Sequence, residues 1–446
     1  LSDISAQDFS LQADTLNEAR LPAQWDLQSC IDYALEQNIT IRKNRVTAES
    51  TQIDVKTAKA ALFPSLSFST SQQVVNRPYQ ETSSRVSGSE IISSNSKTSY
   101  NGNYGLNASW TIYNGSKRLK TLKQERLNNQ VAELDVATSK NTIKESIAQI
   151  YIQILYAAES VRVNENTLQV SITQRDRGQE LLNAGSIAKS DFAQLEAQVS
   201  TDRYQLVTAQ ATLQDYKLQL KQLLELDGEN EMNVYLPKLS DENVLAPLPA
   251  KKDVYVSALA IRPEIEASKL NIEASELGID IAKSSYFPTI SLSAGIGTNH
   301  TSGSDFTFGE QVKNGWNNSI GLSVSVPIFN NRQTKSAVQK AKLQRETDML
   351  SLLDEQKALY KTIESLWLDA NSAQQRYAAA NEKLRSTQIS YDLISEQFNL
   401  GMKNTVELLT EKNNLLQAQQ EQLQAKYMAI LNTQLLKFYQ GDKLTL

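Results

Sequence analysis

The chain has 446 residues, room for two or three average domains or one elongated one. With 45 basic and 50 acidic side chains its net charge is -5, which offers no electrostatic reason to bind nucleic acid. The mean hydropathy is -0.42, and no stretch approaches the roughly 20 apolar residues of a membrane-spanning helix, which together exclude a helical membrane bundle.

Glycine and proline are sparse, at 16 and 9, amid recurrent Ala, Leu, Gln, Glu and Lys, a mixture that favours long helices. The only cysteine, Cys30, precludes an intrachain disulfide; in WDLQSCIDYALEQN it reads as a small buried hydrophobe on a helix. It does not stand at the N-terminus, where a lipoprotein carries its acylated cysteine. No signal peptide opens the chain, which does not exclude secretion, since a mature or trimmed start has none. The only histidine, His300, lies in a Gly/Ser/Asn/Thr-rich stretch that reads as a loop. Histidine-based triads and zinc sites therefore lack raw material, and no Gly-rich phosphate loop follows a predicted strand. The expectation is a protein with no enzymatic chemistry, cofactor or metal.

A helical stretch at about 27–62 ends at Phe63-Pro64, because proline disfavours helical geometry in the residue before it. Period-two alternation follows. Leu66 and Phe68 alternate with serines; after a loop at about 78–98, Tyr104, Leu106, Ala108, Trp110 and Ile112 alternate with Asn103, Gly105, Asn107, Ser109 and Thr111. Residues from about 115 to 183 contain no proline and one glycine, Gly178. There Ile143, Ile147, Ile150, Ile154, Val161, Leu168 and Ile172 keep to steps of three, four or seven, a coiled-coil seam. Such a helix would be on the order of 100 Å long. The return helix repeats every seventh residue, Phe192, Val199, Leu206, Leu213 and Leu220.

The pattern then starts again. A helix at about 251–286 ends at Phe287-Pro288, and Ile290, Leu292, Ala294 and Ile296 alternate with Ser and Gly. After a loop at about 299–315, Trp316, Ile320, Leu322, Val324, Val326 and Ile328 alternate with Asn317, Ser319, Gly321, Ser323 and Ser325. A second long hairpin closes the chain, with Leu409, Leu416, Leu423 and Ile430 on its heptad row. AKAALFPSLSFSTS at 58–71 echoes AKSSYFPTISLSAG at 282–295, SWTIYNGSKRLK at 109–120 echoes SVSVPIFNNRQTK at 323–335, and LLNAGSIAKSDFAQL at 181–195 echoes QFNLGMKNTVELLT at 397–410. The three pairs keep their order at an offset of roughly 220 residues. The expected division is a first structural repeat at 1–230, including an N-terminal extension, and a second at 231–446.

Alternation of this kind also fits a soluble sheet with one face on a core. Here the polar face is mostly Ser, Gly and Asn, with few of the charges that coat a solvated sheet. A lipid-facing apolar side and a watery lumen suit a transmembrane barrel, with Trp110, Trp316 and Tyr104 as candidate aromatics of the membrane interface. The loops at 78–98 and 299–315 read as exposed, mobile connections on the outer side. Four strands cannot close a barrel, and lipid does not tolerate an open edge, so several chains must pool their strands. Three would supply about twelve; the pattern does not by itself fix three rather than two or four.

At this point the chain resembles the TolC family of outer-membrane factors from about Trp25 to about Tyr439. The resemblance rests on the two helix–Phe-Pro–strand junctions, IRPEIEASKLNIEAS at 261–275, the strand-to-helix junctions YNGSKR and FNNRQTK, and the helix turns NAGSIAKSDF and NLGMKNTVEL. It implies a mainly α fold with a transmembrane β part: a homotrimer with a twelve-stranded barrel in the outer membrane of a Gram-negative bacterium, continued by a periplasmic helical tunnel. It also implies outer-membrane lipid as surroundings, and partnership with a periplasmic adaptor and an inner-membrane pump for efflux or secretion.

The resemblance further places a gate at the hairpin turns, with Ala184, Gly185, Leu400 and Gly401 at the adaptor-facing tips. Asp191, preceded by Ser190, and Lys403 would link neighbouring hairpins, and Glu407 would form an acidic ring at the constriction. Two positions depart from the family: Phe398 replaces a gate tyrosine, and Thr410 replaces a second ring aspartate of some relatives. The alternative for Asp191, Lys403 and Glu407 is that they are ordinary solvated charges at helix ends. The alternative for the whole chain is a soluble coiled-coil scaffold or membrane-remodelling protein, which accounts for the heptads but not for the four serine-lined strands. A hydrolase stands third, for want of convergent catalytic groups.

Overall fold

Breakers decide where the helices of this chain stop. The computed structural model describes residues 22–79, 83–87, 90–94, 97–227, 232–237, 244–302 and 306–445; residues 1–21, on which the expected N-terminal extension falls, lie outside them. The helix expected over 27–62 is in fact two, α1 (Leu27–Gln37) and α2 (Ile39–Ala60). Between them Asn38 serves both ends: its N–H donates to Ala34 O at 2.9 Å and its Oδ1 accepts from Thr40 N at 3.0 Å. Its Nδ2 also donates to Leu223 O at 3.0 Å. A residue whose backbone N–H closes one helix while its side chain caps the next makes a break that apolar periodicity does not reveal. The second copy breaks at the equivalent place by other means. There α5 (Lys251–Ile261) stops at Arg262, and Pro263 opens α6 (Pro263–Ser284), at the position where a missing N–H costs nothing.

The chain divides into two compact units. One comprises the described residues of Leu1–Arg45, with Asp135–Ile265 and Asp354–Leu446; the other comprises Val46–Leu134 and Glu266–Leu353.

The second unit carries the sheet. Its strands β1 (Ser65–Asn76), β4 (Thr98–Asn114), β5 (Thr289–Thr301) and β6 (Asn317–Ser325) pair antiparallel in the order β1-β4-β5-β6. Residues opposite one another share a face. The rows Ser67–Asn107–Gly295–Ser319, Ser69–Gly105–Gly297–Asn317 and Ser65–Ser109–Ser293–Gly321 line one side with small polar groups. The rows Leu66–Ala108–Ala294–Ile320 and Phe68–Leu106–Ile296, the latter ending on Asn318 of β6, with Trp110–Leu292–Leu322, make the other side mainly apolar. That apolar side is open: Leu66, Phe68 and Leu322 are exposed, and Ile320 is 78% exposed.

The alternation extends less far than the sequence suggests. Strand β6 ends at Ser325, before Val326 and Ile328, because Pro327 between them has no N–H for a ladder. Strand β4 bulges between Thr111 and Tyr113, so Ile112 leaves the regular register. The two connections are also more ordered than expected. The first contains a hairpin of β2 (Ser83–Ser87) and β3 (Glu90–Ser94), although 80–82, 88–89 and 95–96 lie outside the described residues. The second contains α7 (Phe308–Asn314), whose start is closed by a reciprocal box between Thr307 and Glu310, a Thr-x-x-Glu signal readable in the sequence.

The long helices are α3 (Lys117–Asn183), α4 (Lys189–Leu223), α8 (Gln333–Asn399) and α9 (Thr405–Gln440). Both strand-to-helix junctions turn through two successive left-handed residues, Gly115-Ser116 (φ 67° and 63°) and Asn331-Arg332 (φ 48° and 65°). The same backbone device at both junctions is a conformational mark of the duplication.

In the first unit, Ile147 and Ile154 of the expected seam are fully buried, as is Cys30, whose thiol burial pushes up to about 12. Each fully buried aliphatic side chain contributes roughly 1.5–3 kcal/mol. The heptad row of α9 is displaced near its start: Leu408 and Leu415 are buried while Leu409 and Leu416 are half-buried, and the expected row resumes at Leu423 and Ile430. An α-helix drifts by about 20° per heptad, so one row of sevens cannot stay buried throughout. The IRPEI motif has a structural job here. Arg262 is almost fully buried, bonds Glu145 at 3.0 Å and lies 3.6 Å from the Tyr439 ring centre, tying the end of α5 to the middle of α3 and the end of α9.

Candidate functional site

Both long hairpins of the first unit turn in the same way. After α3, Gly185 N–H donates to Leu182 O at 3.0 Å and Ser186 N–H to Leu181 O at 2.8 Å. After α8, Gly401 N–H donates to Phe398 O at 2.9 Å and Met402 N–H to Gln397 O at 2.8 Å. This closure requires a left-handed residue, and both glycines have φ of 73°. Neither has an atom near where a Cβ would sit, so backbone conformation alone demands glycine there.

The return helices start differently. Ala188 precedes α4 and has no acceptor side chain; Asp191 reaches back instead, Oδ2 accepting from Ala188 N at 3.3 Å. Helix α9 has a full reciprocal cap: Asn404 Oδ1 accepts from Glu407 N at 2.9 Å, and Glu407 Oε2 accepts from Asn404 N at 3.2 Å. Glu407 Oε1 also accepts from Lys403 Nζ at 2.6 Å. The Lys403 ammonium first, and the Asn404 N–H second, hold the Glu407 carboxyl below its ordinary range. Within one chain, Lys403 is thus engaged with Glu407 and Asp191 with its own helix start.

Phe398 is buried (3% exposed) with Leu195 of α4 and Leu408 of α9, and Leu181, Tyr391, Ile394 and Leu409 pack around them. This apolar cluster joins the first hairpin to the second. Ser190 and Ala184 are exposed, and Leu400, Met402 and Val406 are exposed apolar side chains at the second turn. On the sheet, Tyr104 and Trp110 lie on the apolar side, where Trp110 Nε1 donates to Leu62 O at 2.9 Å; Trp316, immediately before β6, is exposed. Among the described residues no three His, Cys, Asp or Glu side chains come together to hold a metal ion.

Two polar contacts between the hairpins were not anticipated. Gln174 of α3 donates to the Tyr391 hydroxyl of α8 at 2.8 Å. Deeper, Lys412 of α9 donates to Asp202 of α4 and to Ser171 of α3, and all three side chains are buried. The signal for the second was present: Asp202 follows Val199 by three residues, and Lys412 lies between Leu408 and Leu415, so both charges occupy core positions.

Residues 30–225 and 254–441 match the model of the outer membrane efflux protein family. The chain belongs to that family. Among curated relatives, this outer membrane efflux protein chain is 25% identical over 294 residues to outer membrane efflux protein BepC of Brucella suis, covering 66% of this chain and 61% of that protein. It is 24% identical over 341 residues to outer membrane protein TolC of Escherichia coli K12, covering 73% and 66%. The matches thus span about two thirds of the length of these relatives. The fold is that of solved members of the outer-membrane channel group. The crystal structure of CusC superposes with a TM-score of 0.79 at 19% identity, over 94% of this chain and 92% of that one. VceC from Vibrio cholerae gives 0.76 at 16% identity, over 94% and 97%.

Proposed function

We propose that this outer membrane efflux protein chain is one protomer of a homotrimeric export duct in the outer membrane of a Gram-negative bacterium. The observation that carries it is the sheet. One side is lined across four strands by Ser, Gly and Asn, the other is apolar and open, and β1 and β6 are edges. A soluble scaffold would expose those apolar rows to water; in lipid they are satisfied, provided the edges pair with β6 and β1 of neighbouring copies. Three copies make twelve strands. From Tyr100 to Trp110 is ten residues, on the order of 34 Å of strand and about 25 Å of depth at the usual tilt. Tyr104, Trp110 and Trp316 then belong to the aromatic belts.

The two copies of the helix–strand–strand–hairpin unit, 1–230 and 231–446, each supply half of a protomer's sheet and one long hairpin. The hairpin turns form the periplasmic end. Asp191, Ser190, Lys403 and Glu407 face one another across copies there, with Phe398 as their apolar support. Ala184, Gly185, Leu400 and Gly401 present the surface that a periplasmic adaptor meets, and an inner-membrane pump supplies the energy. The duct is passive and performs no catalysis. Purified protein in planar lipid bilayers is expected to give discrete ion-conducting steps; a chain that stays dissolved without detergent and never conducts would overturn this reading.

A further inference from the structure

Asp202, Lys412 and Ser171 bring a full ion pair into the seam between the hairpins. Asp202 is 2% exposed and Lys412 3%, and they come from α4 and α9, two helices far apart in the chain. The Asp202 carboxylate accepts from Lys412 Nζ, from Ser171 Oγ and, on Oδ1, from Gln198 Nε2 at 2.9 Å. Lys412 Nζ in turn donates to Ser171. The site lies two turns into α9, with Lys412 one helical turn after Leu408 and Asp202 two turns after Leu195 of the apolar cluster.

A buried pair of this kind contributes little net stability, since an apolar pair of similar volume is often as good or better; removing one partner, however, leaves a charge stranded in the dry seam. The same asymmetry governs motion. When α9 moves away from the first hairpin, water enters and hydrates both ions, so separation recovers desolvation energy that an apolar contact would not recover. We propose that the Asp202–Lys412 pair, with Ser171, is a releasable fastening between the two hairpins of one protomer: it sets their register while the tip is closed and lowers the cost of parting them when it opens. The proposal rests on the reading of the chain as a gated duct.

The test measures the purified full-length protein in planar bilayers beside its thermal midpoint in detergent. Asp202→Ala strands Lys412 and should raise the open probability roughly tenfold or more while lowering the midpoint. Asp202→Leu combined with Lys412→Met should do the opposite on both counts, opening less often than the wild type and melting higher. A merely structural pair would not couple a higher midpoint to a less active channel. Should Asp202→Ala fail to assemble, the double variant decides alone. A double variant that opens as often as the wild type, or more often, overturns the fastening. A wild-type protein that never conducts overturns the duct reading, and the fastening with it.

Discussion

Lys403 and Glu407 pair within one chain at the start of α9. Their 2.6 Å pair neutralises, within each copy, the charge that a ring of Glu407 would present. Lys403→Ala is therefore expected to increase cation preference, and Glu407→Lys to abolish it, read as opposite shifts of the reversal potential in a salt gradient. The pH dependence has a definite sign. Glu407 is held below its ordinary value of 4.5 by Lys403 and the Asn404 N–H, so its charge and its capping of α9 are fully present above that pH. Both are lost only as pH falls through the depressed value, so selectivity should persist down to about pH 4.5 and fade below it. Asp191→Ala with Lys403→Ala removes the proposed link between copies and should raise single-channel conductance. An exposed pair is worth roughly 0–1 kcal/mol, so three symmetric links form a weak latch. Unchanged conductance would remove both residues from the gate.

The helical elements are governed by their ends. The α3 and α8 turns each depend on one left-handed glycine in open space. Gly185→Ala and Gly401→Ala should each cost about 1 kcal/mol from backbone strain alone, with Asn milder at the same positions, seen as a lower thermal midpoint in detergent. Asn404→Ala removes the acceptor for the Glu407 N–H and should cost about 1 kcal/mol at the start of α9. The equivalent position in the first hairpin is already alanine, Ala188, so that start relies on Asp191 alone. The duplicated turns therefore share a closing device and differ in how the return helix is capped.

At the scale of the whole molecule, the sheet is incomplete in one copy. Its two edge strands and its open apolar face are stable together only when other copies supply the missing neighbours within lipid. The detergent-extracted protein should have a protein mass three times 49.7 kDa. A monomer that is soluble without detergent would be incompatible with the exposed rows from Leu66 to Ile320.

The sequence by itself determined the long helices, the duplication, the four strands of the main sheet with their two faces, and the glycine turns. Each of these rests on local chemistry: period-two alternation, helix breakers, and the need for positive φ. The tertiary structure alone decided what depends on partners distant in the chain. Asn38 splits a helix because it can reach Leu223 as well as its own neighbours. Phe398 is interior because Leu195 and Leu408 meet it. Asp202 and Lys412, each legible only as a charge among leucines, became a pair because their two helices align those positions across a dry seam. Periodicity reports which side of an element is buried, whereas the identity of what lies opposite is a property of the assembled fold.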